Sequence, residues 1–350
     1  MNNPSNIHGS DKMLPTVKTK WGFIDRKGNI VIEPVFDYTY PFSEGFAGVL
    51  MNGQWGFVRS DGTWLLYPAF DEICDFSEGM ARFRLIMDEK KVSYAGHTVE
   101  PVFYRDAMTG IIDATGKIVF QTSGIDMGYR FSEGVNWLRD QQRKYGFIDH
   151  FGHYVIKPDF DDAKLFSDGL AGVRIDSEWK YIDRAGTQAF QLIFEQVTPF
   201  QDGLAWVRLR AKSGYIDKTG NMIIYSRLYY GDFSEGKCSF ERNGQWGYMD
   251  RSGREIVAPQ YAYAGSFSEG MACVKINGLY GFIDANGNRI IPPVYAYAEK
   301  FSSGLAPVLT VGDKPDRAGY INTGGEWVVP PSFSWVQRFT EDLAAVEVAL

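Results

Sequence analysis

Histidine and cysteine are scarce in this 350-residue chain, with four of the first and three of the second. Cys74, Cys238 and Cys273 show no paired spacing, which excludes a disulfide framework and a cysteine-based zinc site and fits a reducing compartment. Long apolar runs are missing too. Nothing approaches the roughly 18–20 uninterrupted apolar residues of a membrane-spanning helix, and Met1 to Lys20 holds no signal-peptide core. The expectation is a cytoplasmic protein without a membrane partner. Positive charge is in deficit, at a net −7, which disfavours general nucleic-acid binding. Catalytic signatures are also lacking: there is no Gly-x-Ser-x-Gly elbow, no His-Glu-x-x-His and no calcium-loop pattern. The run Gly110 to Lys117 resembles a phosphate loop, but its spacing is one residue too long and Ile118 stands where Ser or Thr is needed. His150 and His153 flank a turn glycine with no other Cys or His at ligand spacing, so they read as a solvated turn and not as a metal site. No cofactor, metal or catalytic residue is expected, and the chain reads as a non-enzyme.

What the chain does have is glycine (38) together with phenylalanine (25) and tyrosine (20), arranged in a fixed order. An aromatic-Gly-aromatic-Ile-Asp segment appears at Trp21-Gly22-Phe23-Ile24-Asp25 and again at Gly56, Gly110, Gly146, the Lys180 position, Gly214, Gly247, Gly281 and Gly319. A second landmark, Phe-Ser-Glu-Gly, begins at Phe42, Phe76, Phe131, Phe166, Phe200, Phe233, Phe267, Phe301 and Phe339. A period of about 34 residues overrides any domain count drawn from length. Nine units result, with an insertion at about residues 85–109.

Each unit can be read physically. In Trp246-Gly247-Tyr248-Met249-Asp250 successive side chains alternate and both faces are apolar, so the strand must be covered on both sides. Asp-x-x-Gly, as in Asp284 to Gly287, suits a type I turn closed by a left-handed glycine. A second strand such as Arg289-Ile290-Ile291-Pro292-Pro293 follows, then a loop, then the Phe-Ser-Glu-Gly turn, whose glycine is expected at the strained position. Last comes Leu-Ala-x-Val-x, a third strand that turns through pairs such as Asn277-Gly278 into the next unit. The expected fold is all-β: nine antiparallel units of three to four strands, stacked because one meander cannot bury both faces. Two architectures fit, a propeller-like closed ring or an open β-solenoid. The chain opens on the Trp-Gly strand and finishes on a Leu-Ala-x-Val strand, Leu343 to Val346, so the two ends complement each other and favour the ring. Residues 1–13 are expected to form a disordered tail, 14–350 a single array, and the insertion a surface excursion carrying a decayed second strand, Val99 to Phe103.

At Gln54-Trp55-Gly56-Phe57, Gln245-Trp246-Gly247-Tyr248, the Ile-Asp-x-x-Gly turns and the Phe-Ser-Glu-Gly segments, the chain resembles the WG-containing (KWG) repeat family of bacterial proteins. The resemblance covers about residues 14–350 and implies a β-rich interaction module with no catalytic residues to carry over. The sequence departs from the pattern where Thr109, Ser213 and Ala318 replace the aromatic, Lys180 the glycine, and Asp342 the last glycine of Phe-Ser-Glu-Gly.

The repeated acids divide into two series. The aspartates that open the turns (Asp25, Asp113, Asp149, Asp183, Asp217, Asp250, Asp284) are expected to bond local backbone. Glu44, Glu78, Glu133, Asp168, Asp202, Glu235 and Glu269 form an aligned stripe, read as a solvated turn with a possible draw for a basic partner as the alternative. The positions that the repeat leaves free are the two variable residues of Leu-Ala-x-Val-x. In four consecutive units they are Arg82/Arg84, Trp137/Arg139, Gly172/Arg174 and Trp206/Arg208, while later units carry Pro307/Leu309 and Ala345/Glu347. Tryptophan and arginine dominate binding hot spots. The alternative is framework: arginines paired with the aligned acids, Glu133 and Asp168 for example. On this basis the expected function is a non-catalytic scaffold that binds a protein or peptide, or an anionic segment of one, through Arg82, Arg84, Trp137, Arg139, Arg174, Trp206 and Arg208. Glycan or cell-envelope recognition is the alternative, and a carboxylate-based hydrolase is a weaker third.

Overall fold

The computed structural model describes residues 18–87, 89–91, 102–104, 107–210, 212–227, 231–312 and 317–349. The expected tail at 1–13 and the stretch Leu14 to Val17 lie outside them. The described residues form a nine-bladed β-propeller without helices. A complete blade is an antiparallel meander of four strands, as in blade 2: Tyr38–Thr39, Phe46–Met51, Gln54–Arg59 and Trp64–Phe70. They are called first to fourth below. The first strand lies at the hub and the fourth at the circumference. One cavity of about 420 Å³ at the hub is shared by Arg338 of blade 1, Tyr40 of blade 2, Asp75 of blade 3 and Arg130 of blade 4, residues that lie beside the first strands. Exposed apolar side chains such as Ile30, Tyr154, Val155 and Ile290 lie on the fourth strands.

Blade 1 closes the ring. Thr19–Asp25 pairs antiparallel with Leu343–Ala349 over seven consecutive residues, from Thr19↔Ala349 to Asp25↔Leu343, so the two ends of the array share one sheet. The closed ring is therefore the architecture, and the solenoid is not. The core sits between blades: one cluster joins Trp21, Phe23 and Phe36 of blade 1 to Phe42, Ala47 and Val49 of blade 2. Blades 8 and 9 run together as one seven-stranded sheet, because Arg289–Ala298 continues from the fourth strand of one into the first strand of the next.

The Trp-Gly pair has a steric cause. A Cβ built on Gly22 would stand 2.5 Å from the Ile32 carbonyl oxygen and 2.7 Å from the Pro34 nitrogen, and Gly56, Gly146, Gly247, Gly281 and Gly319 meet the same obstacle. The fourth strand bulges inward at its proline, where the ladder shifts register, and its backbone fills the space of the missing side chain. The glycine thus admits a strand of its own blade, not the neighbouring unit. The exception tests the rule: Lys180 stands in this position in blade 5, which has three strands and only isolated bridges, Trp179↔Phe194 and Ile182↔Gln188, in place of the fourth.

The insertion lengthens the hairpin between Met80–Ile86 and Ala107–Asp113. Glu89–Lys91 pairs with Val102–Tyr104 in a two-stranded ladder separate from the blade. Val102 and Phe103 therefore do not act as a second copy of the fourth strand, which blade 3 already has at Ile118–Ser123; Val99, Glu100 and Pro101 lie outside the described residues.

Candidate functional site

The ring has two rims of different character. One carries the Asp-x-x-Gly and Phe-Ser-Glu-Gly turns, and here the repeat is spent on structure. Asp25 Oδ1 accepts the amides of Lys27 and Asn29 at 2.8 and 2.9 Å, and Gly28 closes the turn at φ 86°. The side-chain amide of Asn29, ahead of these backbone donors, holds the Asp25 carboxyl below the usual carboxylate range. In Phe-Ser-Glu-Gly both central residues are left-handed, Glu44 at φ 54° and Gly45 at 85°, which makes a two-residue hairpin turn of the I′ type; the sequence reading had placed this strain on the glycine alone.

The glutamate spends that geometry on the next blade. Each carboxylate reaches forward and accepts the turn amides of its neighbour. Glu341 accepts from Glu44 and Gly45, Glu44 from Glu78 and Gly79, Glu78 from Gly134, Glu133 from Gly169, Asp168 from Gly203, Asp202 from Gly236, Glu235 from Gly270 and Glu269 from Gly304. The shortest contact at each joint lies between 2.5 and 3.1 Å. The hydroxyls of Ser43, Ser77, Ser132, Ser234, Ser268 and Ser302 make a parallel link, donating to the carbonyl of the following phenylalanine at 2.7–2.9 Å. The acid stripe is therefore neither merely solvated nor free for a basic partner. Basic groups of the next Asp-x-x-Gly turn join it in places: His150 Nε2 lies 3.1 Å from Glu78 Oε2, and Arg251 Nη2 lies 2.6 Å from Asp202 Oδ1. The Arg251 pairing, with the Gly236 amide, holds Asp202 below the carboxylate range. His153 turns instead to Asp149, at 3.2 Å, so the two histidines do not converge. Among the described residues no group of three or more His, Cys, Asp or Glu gathers as metal ligands would.

Two more framework positions have explanations. The buried hydroxyls of Tyr181, Tyr215, Tyr248 and Tyr320 donate to carbonyls at Thr198, Gly231, Gly265 and Gln337, at 2.6–3.0 Å. Cys238 and Cys273 are packed in the core, where burial pushes their thiols up to about 12.

The other rim carries the short hairpins between second and third strands. The row nearest this rim that spans first, second and third strands holds the second variable residue of Leu-Ala-x-Val-x, flanked in register by one residue of the first strand and one of the third. The row divides the ring into two arcs. In blades 3 to 6 it reads Glu72/Arg84/Thr109, Asp126/Arg139/Tyr145, Asp162/Arg174/Trp179 and Gln196/Arg208/Ser213. In blades 8, 9, 1 and 2 it reads Tyr263/Lys275/Tyr280, Tyr297/Leu309/Ala318, Trp335/Glu347/Trp21 and Tyr38/Leu50/Trp55. Aromatic contacts cross the blade boundaries of this arc: ring centroids are 5.9 Å apart for Tyr263–Tyr280 within blade 8, and between blades 5.8 Å for Tyr280–Tyr297, 5.4 Å for Tyr297–Trp335 and 5.4 Å for Trp21–Tyr38. Tyr38, Tyr263 and Trp335 are exposed on it.

Where arginines of the other arc form ion pairs, at Arg82, Arg84 and Arg174, the partner is an acid of their own blade's first strand and not Glu133 or Asp168. Arg82 and Arg84 stand 3.6 and 3.7 Å from Glu72, and Arg174 stands 3.8 Å from Asp162. These separations exceed the roughly 2.7–2.9 Å of a charge-assisted hydrogen bond. Arg174 also lies over the Trp179 ring at 5.7 Å, and Arg139 over Tyr145 at 5.9 Å. Arg82 is the most enclosed of the series, with its Nε 3.3 Å from the Cys74 sulfur. Arg208 is exposed. The tryptophans behave differently from a shared ridge. Trp137 is half-buried with its ring 5.2 Å from Tyr145, and Trp206 is buried at 6 % exposure in the core between blades 6 and 7, with Tyr215, Phe233 and Phe240. The first variable position faces the next blade, and only the second reaches the rim. Sequence reasoning missed the aromatic arc, whose signal is an aromatic four residues before the Phe-Ser-Glu-Gly landmark in four units, at Tyr38, Tyr263, Tyr297 and Trp335.

Comparison with known proteins agrees with this architecture. Among solved structures the ring is similar to a eukaryotic initiation factor, with a TM-score of 0.59 at 12 % identity over 94 % of this chain and 98 % of that one. It is more loosely similar to BamB from Moraxella catarrhalis, with a TM-score of 0.44 at 11 % identity over 89 % and 96 % of the two chains. At such identities the first likeness is one of fold alone. No curated protein matches the chain. The WG containing repeat matches at residues 21–55, 55–85, 145–179, 181–212, 214–246, 246–280, 280–314 and 319–348, leaving unmatched only the unit stretched by the insertion. With eight repeats matched over most of its length and the glycine of each Trp-Gly pair explained by the strand it admits, the chain belongs to the WG-containing repeat family.

Proposed function

We propose that the ring is a non-catalytic scaffold that binds a protein or peptide across its hairpin rim. The observation that carries this reading is the contrast in use of the repeat. Acids, serines and glycines of the turn rim repeat the same blade-to-blade bonds, whereas the hairpin row varies from unit to unit, presents Tyr38, Arg208, Tyr263 and Trp335 to solvent and changes from aromatic to arginine around the ring. Aromatic and arginine side chains combine large contact area with strong directional bonding. An extended segment with apolar residues toward blades 8, 9, 1 and 2 and acidic residues toward blades 3 to 5 would match both arcs. The aromatic arc alone favours a second reading, a glycan stacked on Tyr263 and Trp335.

The test is affinity capture in cytosol followed by reconstitution with the purified partner. Four proteins are compared: wild type, Tyr263→Ala/Trp335→Ala, Arg139→Glu/Arg174→Glu, and a turn-rim control, Lys27→Ala. The proposal expects one partner that binds wild type and control and loses at least tenfold in affinity with either rim pair. Equal binding by all four proteins would refute it. Binding of oligosaccharide but not protein, lost with the aromatic pair alone, would establish the second reading.

A further inference from the structure

Blade 6 departs from blades 3 to 5 in the charge of its hairpin row. In blades 3 to 5 the row arginine faces an acid across the first strand, but Arg208 of blade 6 faces Gln196. Beside it lies a cavity of about 600 Å³ whose wall includes Arg208, Arg210, Lys212, Arg227, Ser213 and Tyr225. The wall holds four cations against one acid, Glu195, a formal charge of +3 on a chain whose net charge is −7. Among the described residues none of the four enters an ion pair within 4.0 Å, although Lys212 sits 5.8 Å from the centre of the Tyr225 ring. Tyr225 itself is 68 % exposed. A second cavity of about 550 Å³ shares Glu195, Leu209, Arg210 and Lys212 with the first and adds Ser177, Glu178, Ile193 and Phe194, in the stretch where blade 5 lacks a fourth strand.

We propose that this cavity binds a small oligophosphate, an anion of two or three linked phosphoryl groups, either free or carried by a nucleotide. Four like charges held together repel one another, and a multivalent anion relieves the repulsion where a single carboxylate would neutralise only part of it. Guanidinium groups grip phosphoryl oxygens in bidentate fashion, lysine adds a point charge, and the Ser213 and Tyr225 hydroxyls add donors. The volume falls in the range of small-molecule sites, roughly 300–1,000 Å³. The open Tyr225 ring and the apolar annex at Ile193 and Phe194 offer a face to a base. This proposal goes beyond the partner-binding reading and stands if that reading fails, since it concerns blades 5 and 6 and a different class of ligand.

The test is calorimetric titration of the full chain, without divalent cations, with sodium tripolyphosphate, ATP, inorganic phosphate, adenosine and a glutamate tetrapeptide, at about 50 and 200 mM salt. Tripolyphosphate and ATP are expected to bind one per chain, at least tenfold tighter than inorganic phosphate or the peptide, and more weakly at the higher salt. Arg208→Ala/Arg227→Ala should lose at least tenfold in affinity with an unchanged melting temperature; Lys157→Ala, on the fourth strand of blade 4, should bind as wild type. ATP tenfold tighter than tripolyphosphate identifies a nucleotide ligand, and equal affinities a free oligophosphate. The proposal is overturned if neither anion binds, if the double variant binds as well as wild type, or if the peptide binds as tightly, which would assign the cavity to acidic peptides.

Discussion

Glu44 of blade 2 and Arg84 of blade 3 stand at opposite ends of neighbouring blades, and they have different work. Glu44 accepts the amides of Glu78 and Gly79 at 2.7 Å each, a contact whose counterpart recurs at eight of the nine joints. Arg84 meets Glu72 at 3.7 Å, in a row where blade 2 has leucine, blade 8 lysine and blade 1 glutamate. A repeat can hold one end constant and vary the other because the strands between them bury their side chains against adjacent blades. The turn rim repeats one joint around the ring, whereas the hairpin rim varies its row from blade to blade.

Perturbing each rim should show this division. The largest effect belongs to the strand that joins the ends: removing residues 340–350 takes away the seven-residue pairing with Thr19–Asp25, and the thermal melt should lose its single cooperative transition. Next is Gly146→Ala, which places a Cβ 2.6 Å from the Ile156 oxygen and the Pro158 nitrogen. It should cost about 3 kcal/mol in denaturant unfolding, since backbone must move. Acid should attack the turn rim collectively. The carboxyls of Asp25, Asp113, Asp149, Asp217, Asp250 and Asp284 are held low, so their contribution is complete above the unfolded pKa and is withdrawn as pH falls through the folded one. The melting temperature should be level above about pH 5 and fall below about pH 4. A single joint is a smaller matter. Glu44→Ala should cost about 0.5–1 kcal/mol, because the carboxylate is exposed, and Ser303→Glu, which supplies the acid at the ninth joint, should gain a similar amount. The smallest effect falls on the hairpin rim: Arg139→Ala or Tyr263→Ala should change unfolding free energy by no more than about 0.5 kcal/mol. A loss of several kcal/mol there would mean that both rims are framework.

Much of this architecture was legible in the residues. Strand order, the Asp-x-x-Gly turns and ring closure all follow from alternation, turn chemistry and complementary ends, which are local features or features of the period. The forward reach of Glu44 was not legible, because the amides that donate to it lie 34 and 35 residues ahead and come near only once blades pack side by side. Trp206 was misjudged for a related reason. Alternation places it on the same strand face as Arg208, but that face passes from interior to solvent along the strand, and two residues decide between them. Lys180 did carry a signal. A side chain where the fourth strand must enter predicts a blade without one, and the steric meaning of the glycine supplies the inference.

The hand-over from each acidic turn to the next has a further consequence for assembly. A joint with the same donor and acceptor nearly everywhere holds no information about which neighbour it meets, so chain connectivity and the differing cores between blades set blade order. The acid series is interrupted at Ser303, and the turn that would receive it carries Asp342, a non-glycine residue at φ 66°. Interchangeable joints let a ring of this kind gain or lose whole units without redesign of the contact between them, and the wedge shape of the packed blades then decides how many close the circle.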